Sequence, residues 1–201
     1  MRVMGTTKLA ILVAATLALG SCTSLVPSAP PNTYDLSAPA SFPGLKGGSR
    51  AQVLFLEPSA LKVLDSQEIV VKPSSAEVNY LAKSQWSDRL PKLVQAKLIE
   101  TFENTRRVRA VAKPGEGLVI DYQIVSDIRS FEANIGSGIS EARVSISVKL
   151  VSDRTGKVLR TKVFTETVPL AGTGSLDIVL GLDGAFDKVA RQMVKWTFSG
   201  I

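Results

Sequence analysis

The chain has 201 residues, of which 45% are hydrophobic and 21% charged, with 24 Lys+Arg against 18 Asp+Glu. It holds no His and one Cys, Cys22, which excludes His-based triads, His-ligated metals, imidazole proton relays, intrachain disulfides and zinc knuckles. The net charge of +6 is scattered, which gives no nucleic-acid footprint, and the apolar content over this length can build one cored domain.

Arg2 and Lys8 form a basic start, followed by an apolar run over residues 9–19 that only Thr16 breaks and that Leu19-Gly20-Ser21-Cys22 closes. The run is too short for a bilayer, which takes about 20 apolar residues, so residues 1–21 read as a secretory leader. Leu-Gly-Ser-Cys resembles the bacterial lipobox. That resemblance implies a leader cut before Cys22, a diacylated Cys22 sulfur and an acylated amine, which is enough lipid for stable anchoring. The alternative is an ordinary thiol after a conventional leader, a liability in an oxidising compartment. Without Arg2 and Lys8 the remainder holds 22 Lys+Arg against 18 Asp+Glu, a net charge of +4. Residues 22–32, rich in Pro and Ser, read as an extended lipidated tether, and residues 33–201 as a single domain.

Within that domain, residues 33–36 can form a short strand, and residues 38–50 read as loop. Gln52-Val53-Leu54-Phe55-Leu56 is a continuous apolar run ended by Glu57-Pro58, as in a buried strand. Residues 59–64 suggest one helical turn, and residues 68–72 and 77–81 two further strands. Residues 87–105 predict a helix, with Ser87 as cap, Asp88 in the first turn and Pro91 near the start. Its apolar side is Leu90, Leu93, Val94, Leu98, Ile99 and Phe102, with Lys92, Gln95, Lys97, Glu100 and Glu103 on the other. A short strand over 106–112 follows. Two alternating runs come next, Leu118 to Ile128 and Arg143 to Leu150, and then a tight turn into a third β-type run over residues 157–168, the pattern of a half-solvated antiparallel sheet. A final helix runs over residues 175–198. Ser175 is its cap, Leu176, Val179, Leu180, Phe186, Val189, Ala190, Met193 and Val194 its apolar side, and Gly181 and Gly184 weak points where a bend is expected. The fold class is α+β: one mostly antiparallel sheet with two amphipathic helices on one face.

Few residues suggest chemistry. Gly172-Thr173-Gly174-Ser175 before a helix could cradle a phosphate, but it lacks P-loop and dinucleotide spacing and reads better as a loop and cap. Asp121, Asp127 and Glu132 read better as surface carboxylates than as an acid/base set, and no Ser lies in a nucleophile elbow. Arg106, Arg107 and Arg109 suit a helix C-terminus, the alternative being a contact with anionic headgroups or an acidic partner. Trp86, just before the helix cap, is either a hydrophobic staple, which its position favours, or an exposed aromatic at an interface; Trp196 has the same two readings. The candidates for partner contact are Trp86 and, in the Gly-containing tip over residues 134–138, Ile135. No catalytic residue, metal site or cofactor is indicated.

In order along the chain stand the lipobox, Tyr34-Asp35-Leu36, the strand over 53–56 with Pro58, Leu64-Asp65-Ser66-Gln67-Glu68-Ile69-Val70-Val71, Tyr80-Leu81-Ala82, Trp86-Ser87-Asp88-Arg89-Leu90-Pro91, Leu93-Val94-Gln95, Phe131-Glu132 and Val163-Phe164. This succession resembles the ABC-type transport auxiliary lipoproteins, which include the paraquat-inducible protein C-like lipoproteins. The resemblance implies a partner rather than a reaction: an MCE-domain protein of an ABC transporter that moves lipids across a Gram-negative envelope. It places the protein on the periplasmic side of a membrane, held there by lipidated Cys22, and a homo-oligomer is compatible with it. Thr23 after Cys22, where Asp would retain a lipoprotein in the inner membrane of enterobacteria, favours the outer membrane. Two other functions compete: a carrier that holds an acyl chain in its own cavity, and an envelope hydrolase that works without His.

Overall fold

A computed structural model describes residues 29–45, 47–136, 138 and 140–201. The leader, Cys22 and most of the tether lie outside the described residues. The compact unit runs from Pro31 to Ile201 and draws its core from its own side chains.

The antiparallel pattern read from the sequence becomes β7 (Tyr122–Asn134), β8 (Glu141–Ser152) and β9 (Val158–Pro169), paired over most of their length. β8 occupies one edge of β7 from Tyr122 to Asn134. The other edge takes three short parallel segments end to end: β2 (Gln52–Phe55) at Tyr122 to Ile124, β3 (Ser59–Ala60) at Asp127 and Ile128, and β4 (Glu68–Lys72) at Glu132 to Asn134. β6 (Ala110–Ala112) pairs parallel outside β2, β5 (Asn79–Trp86) antiparallel outside β4, and β1 (Asn32–Tyr34) parallel outside β5. The result is one mixed nine-stranded sheet. Its long ladders are antiparallel, as expected, but five of the eight pairings are parallel. Those contacts are only two or three residues long, too short to show as pattern. β1 includes Asn32, which the sequence reading gave to the tether.

Both helices lie on one face of the sheet. Phe55 is the register partner of Ile124, so the two share a face, and Phe55 meets Phe102 of α1 (Leu90–Thr105) with ring centroids 4.8 Å apart. On the same face Phe131 meets Phe186 of α2 (Ser175–Phe198) at 6.2 Å. A bulge keeps Phe131 there: the register shifts between Ile128 and Ser130, leaving Arg129 unpaired and reversing which parity of β7 points inward. The opposite face carries short polar side chains, including Ser145, whose Oγ lies 2.8 Å from Thr165 Oγ1. Among the described residues β9 pairs only with β8, and charged groups on its inner side blunt its other edge against pairing. Arg160 lies 5.1 Å over the Trp196 ring and donates to Trp196 O and Ser199 Oγ, and Glu166 accepts from Gln192.

Several local expectations change. Ser59 and Ala60 are extended, and the expected helical turn sits at Leu61–Asp65, where the Leu64 and Asp65 N–H groups donate to Leu61 O. α1 begins three residues later than expected, with Arg89 and not Ser87 at its cap position and no side-chain cap. Gln95, placed on the polar side, is buried and donates through Nε2 to Phe55 O at 2.8 Å, satisfying a carbonyl at the end of β2. α2 is continuous over Gly181 and Gly184, and Gly174, not Ser175, is its cap residue. Leu176 and Leu180 are each 59% exposed, and Ile178, Leu182 and Ala185 take the inward positions. Composition alone could not fix that rotation, because α2 is apolar around much of its circumference.

Two glycines permit close approach. A Cβ on Gly136 would fall 1.6 Å from the Pro73 carbonyl oxygen, a backbone atom that cannot yield locally. A Cβ on Gly181 would meet Leu170 Cδ2 at 2.3 Å, the end of a flexible side chain, and Ala142 Cβ at 3.1 Å. Gly136→Ala is therefore expected to cost about 1–3 kcal/mol or more. Gly181→Ala should cost less, because helix propensity returns about 1 kcal/mol. Thermal unfolding of the two variants tests the order; a larger loss for Gly181→Ala would contradict it.

Candidate interaction surfaces

Three of the sequence blocks that carry the family resemblance, Tyr34-Asp35, Leu64 to Gln67 and Trp86 to Pro91, meet at the junction between β5 and α1. The Trp86 N–H donates to Gln67 O at 2.8 Å, Leu90 N–H to Ser66 O at 2.9 Å and Ser87 N–H to Tyr34 O at 2.7 Å. Arg89 joins Asp65 through Nε at 2.9 Å and through Nη2, and reaches Glu57 at 3.2 Å. Asp35 accepts from Ser87 Oγ at 3.1 Å and pairs with Lys97 at 2.9 Å, and Lys97 also meets Glu100 at 3.7 Å. Lys92 pairs with Asp88 at 2.8 Å. The Ser66 carbonyl just before β4 thus satisfies the Leu90 amide at the helix start, where a capping side chain would otherwise be needed.

These contacts decide the electrostatics. Burial works against the Asp35 carboxylate, but hydrogen bonds from Lys97, the Leu36 N–H and Ser87, with the Lys97 charge, outweigh it and hold its pKa below the usual carboxylate range. Burial likewise opposes the Lys97 ammonium, and Asp35 and Glu100 push its pKa above the usual lysine range. A hydrogen bond and charge from Asp65 raise Arg89, and Asp88 raises Lys92.

Trp86 does not offer a surface to a partner. It is 1% exposed, its ring edge-to-face with Phe131 at 5.8 Å. The exposed-aromatic reading is corrected, because β5 aims this side chain under the helices. It is not the staple of α1 either, since the helix starts further on. Trp196 is likewise buried, against Phe164 at 5.6 Å. Ile135 is half-buried just past β7, packed on the core, with its N–H donating to Lys72 O at 3.0 Å. Beside it is a surface notch of about 400 Å³ lined by Lys72, Pro73, Ser74, Asn134, Gly136 and Glu141. Trp86 and Ile135 therefore do not form one surface.

The other candidates separate too. Asp121 accepts from Gln52 N–H, Asp127 from Ser59 Oγ, and Glu132 pairs with Lys72, so each carboxylate is engaged alone. At about 3.3 Å per strand residue they stand well beyond a shared reacting atom. The glycine loop before α2 is filled by the chain's own Asp177, whose Oδ2 lies 2.5 Å from a Cβ built on Gly172, a favourable charge at a helix start. Among the described residues, no group of three or more His, Cys, Asp or Glu is placed to hold a metal ion, and no helix is long and apolar enough to cross a membrane.

The profile of the ABC-type transport auxiliary lipoprotein component family matches residues 34–194. The chain belongs to that family. A protein of Bradyrhizobium diazoefficiens is 30% identical over 165 residues, covering 82% of this chain and 44% of that protein; the chain thus spans less than half the length of this relative. The crystal structure of a Xanthomonas campestris protein superposes with a TM-score of 0.79 at 22% identity, covering 84% of this chain and 95% of that one. A Chlamydia trachomatis protein superposes at 0.53 and 11%, covering 75% and 97%. At these identities the two structures show a common fold. In this chain three of the recognisable blocks therefore meet at a structural junction.

Two measurements check the junction. Trp86→Ala should lower stability by about 3–5 kcal/mol, as for a fully buried aromatic, and unfolding should begin well below the wild-type temperature. The Asp35–Lys97 pair contributes above the ordinary Asp pKa of about 3.9, and this is lost as pH falls through the lowered value. It contributes in full below the ordinary Lys pKa of about 10.4, and this is lost as pH rises through the raised one. Asp35→Asn should therefore lower the melting temperature between about pH 5 and 9, and converge with wild type only once the pH has fallen through the lowered Asp35 value. A gap that persists at acid pH would show that the charge pair is not its source.

Proposed function

We propose that the protein is a lipoprotein anchored through acylated Cys22, facing the periplasm, and that it serves by contact as the auxiliary component of an MCE-type ABC transport system moving lipids across the envelope. The observation that carries the transport-auxiliary part is the family match over residues 34–194. The Leu19-Gly20-Ser21-Cys22 motif supports the anchor, and Thr23 supports the outer membrane. The carrier alternative asks for enclosed apolar space of several hundred Å³. Aromatic rings instead fill the region between sheet and helices, with Phe55, Phe102 and Phe198 in one chain of contacts and Trp86, Phe131 and Phe186 in another. This favours docking over carriage. The exposed surface around Ile135 is the first candidate for the MCE contact.

Cys22→Ala should abolish incorporation of a fatty-acid analogue and release the protein from sedimented membranes; equal labelling of mutant and wild type would refute the anchor. Residues 31–201 should capture the periplasmic part of an MCE-domain protein of the ABC transporter it serves, over a typical interface of about 1,200–2,000 Å². Asp127→Asn should leave capture unchanged, and Ile135→Glu should abolish it without altering the circular dichroism spectrum. Absence of capture together with tight phospholipid binding would favour the carrier.

A further inference from the structure

α1 ends at Arg106, whose φ of 53° and ψ of 33° are left-handed. Helices commonly stop in this way, but with Gly, which adopts the conformation without steric cost. An arginine there is a poor choice for the backbone and points to a use for the side chain.

That side chain lines an open groove of about 920 Å³ together with Arg50, Arg107 and Arg109. Arg50 comes from just before β2 and the other three from the link between α1 and β6, so folding assembles the cluster. Arg107 donates to Gly47 O and ties the two segments together. Among the described residues, Arg50, Arg106 and Arg109 make no ion pair and no side-chain hydrogen bond, whereas Arg89, Lys92, Lys97 and Arg191 all have carboxylate partners. Among the described residues no Asp or Glu lines the groove; Glu103 lies in an adjoining recess and pairs with none of the four. Four like charges in one concavity are mutually repulsive and focus a positive potential outward. A multiply charged anion relieves that repulsion, and the planar guanidinium fork matches phosphate oxygens two at a time. An acidic protein segment would want an apolar anchor at the centre of the contact, and the groove offers only Val108.

We propose that the groove formed by Arg50, Arg106, Arg107 and Arg109 binds the phosphate group of a phosphate ester. The phosphate belongs either to a lipid headgroup or to a soluble ester. The site does not depend on the anchor or on the transporter.

The test uses residues 31–201 with two probes: vesicles of phosphatidylglycerol and phosphatidylcholine against vesicles of phosphatidylcholine alone, and inositol hexakisphosphate in solution by calorimetry. Binding that weakens with salt is expected for at least one probe. Response to the anionic vesicles alone assigns a headgroup, and response to the soluble probe assigns a free ester. Arg106→Gly and Arg50→Ala should each weaken binding by about tenfold, the loss of a charge-assisted hydrogen bond. Arg106→Gly should melt at the wild-type temperature or above it, which a merely structural role would not allow. Lys188→Ala, removing an exposed cation on α2, should change nothing. Failure of both probes, losses no greater than for Lys188→Ala, or binding of polyglutamate alone would overturn the proposal.

Discussion

β7 is the strand on which the rest of the structure depends. A central strand has two edges, and both must be hydrogen-bonded along their length if the strand is buried. β8 satisfies one edge in a single antiparallel ladder. The other is satisfied piecemeal by β2, β3 and β4, all parallel to it. Parallel neighbours need a crossover, and the chain makes it through β5, α1 and β6 before it returns as β7; Pro58 and the turn at Leu61–Asp65 only interrupt the edge that β2, β3 and β4 share. That turn also delivers Asp65, Ser66 and Gln67 to the start of α1. Pairing along β7 and seating of the helix are therefore one event, in which a shift of β4 would displace Arg89's partner and the carbonyls that receive Trp86 and Leu90.

The same coupling gives the recognisable blocks a structural task. Tyr34-Asp35, Leu64 to Gln67 and Trp86 to Pro91 are separated in sequence but serve one junction, each contributing groups the others need. Resemblance in such residues marks a fold and the family that shares it. A partner surface belongs to exposed groups, which can vary without disturbing the core.

The unit has two distinct ends. β1 runs antiparallel to β7 by way of β5 and β4, so the chain enters from the side where β7 finishes. Ile135 and the notch beside Gly136 lie at that side. The arginine groove lies before β2 and β6, where β7 begins.

Sequence alone determined whatever depends on near neighbours. The core positions of α1 from Leu90 to Phe102 follow from helical spacing, and the β7–β8–β9 meander follows from alternation and tight turns, because both patterns repeat over more than two periods. It also determined the chemistry that is missing, since no folding can supply a histidine. Tertiary structure decided what depends on distant partners. The parallel contacts on β7 are too short to leave a period, and the bulge at Arg129 inverts inward parity at a residue that looks ordinary. Trp86 reads as a helix staple before an interface aromatic until β5 is placed beneath the helices, and Gln95 reads as polar surface until the Phe55 carbonyl arrives. Arg50 carries no local sign of belonging with Arg106, Arg107 and Arg109; only the approach of the chain before β2 to the end of α1 puts four positive charges in one groove.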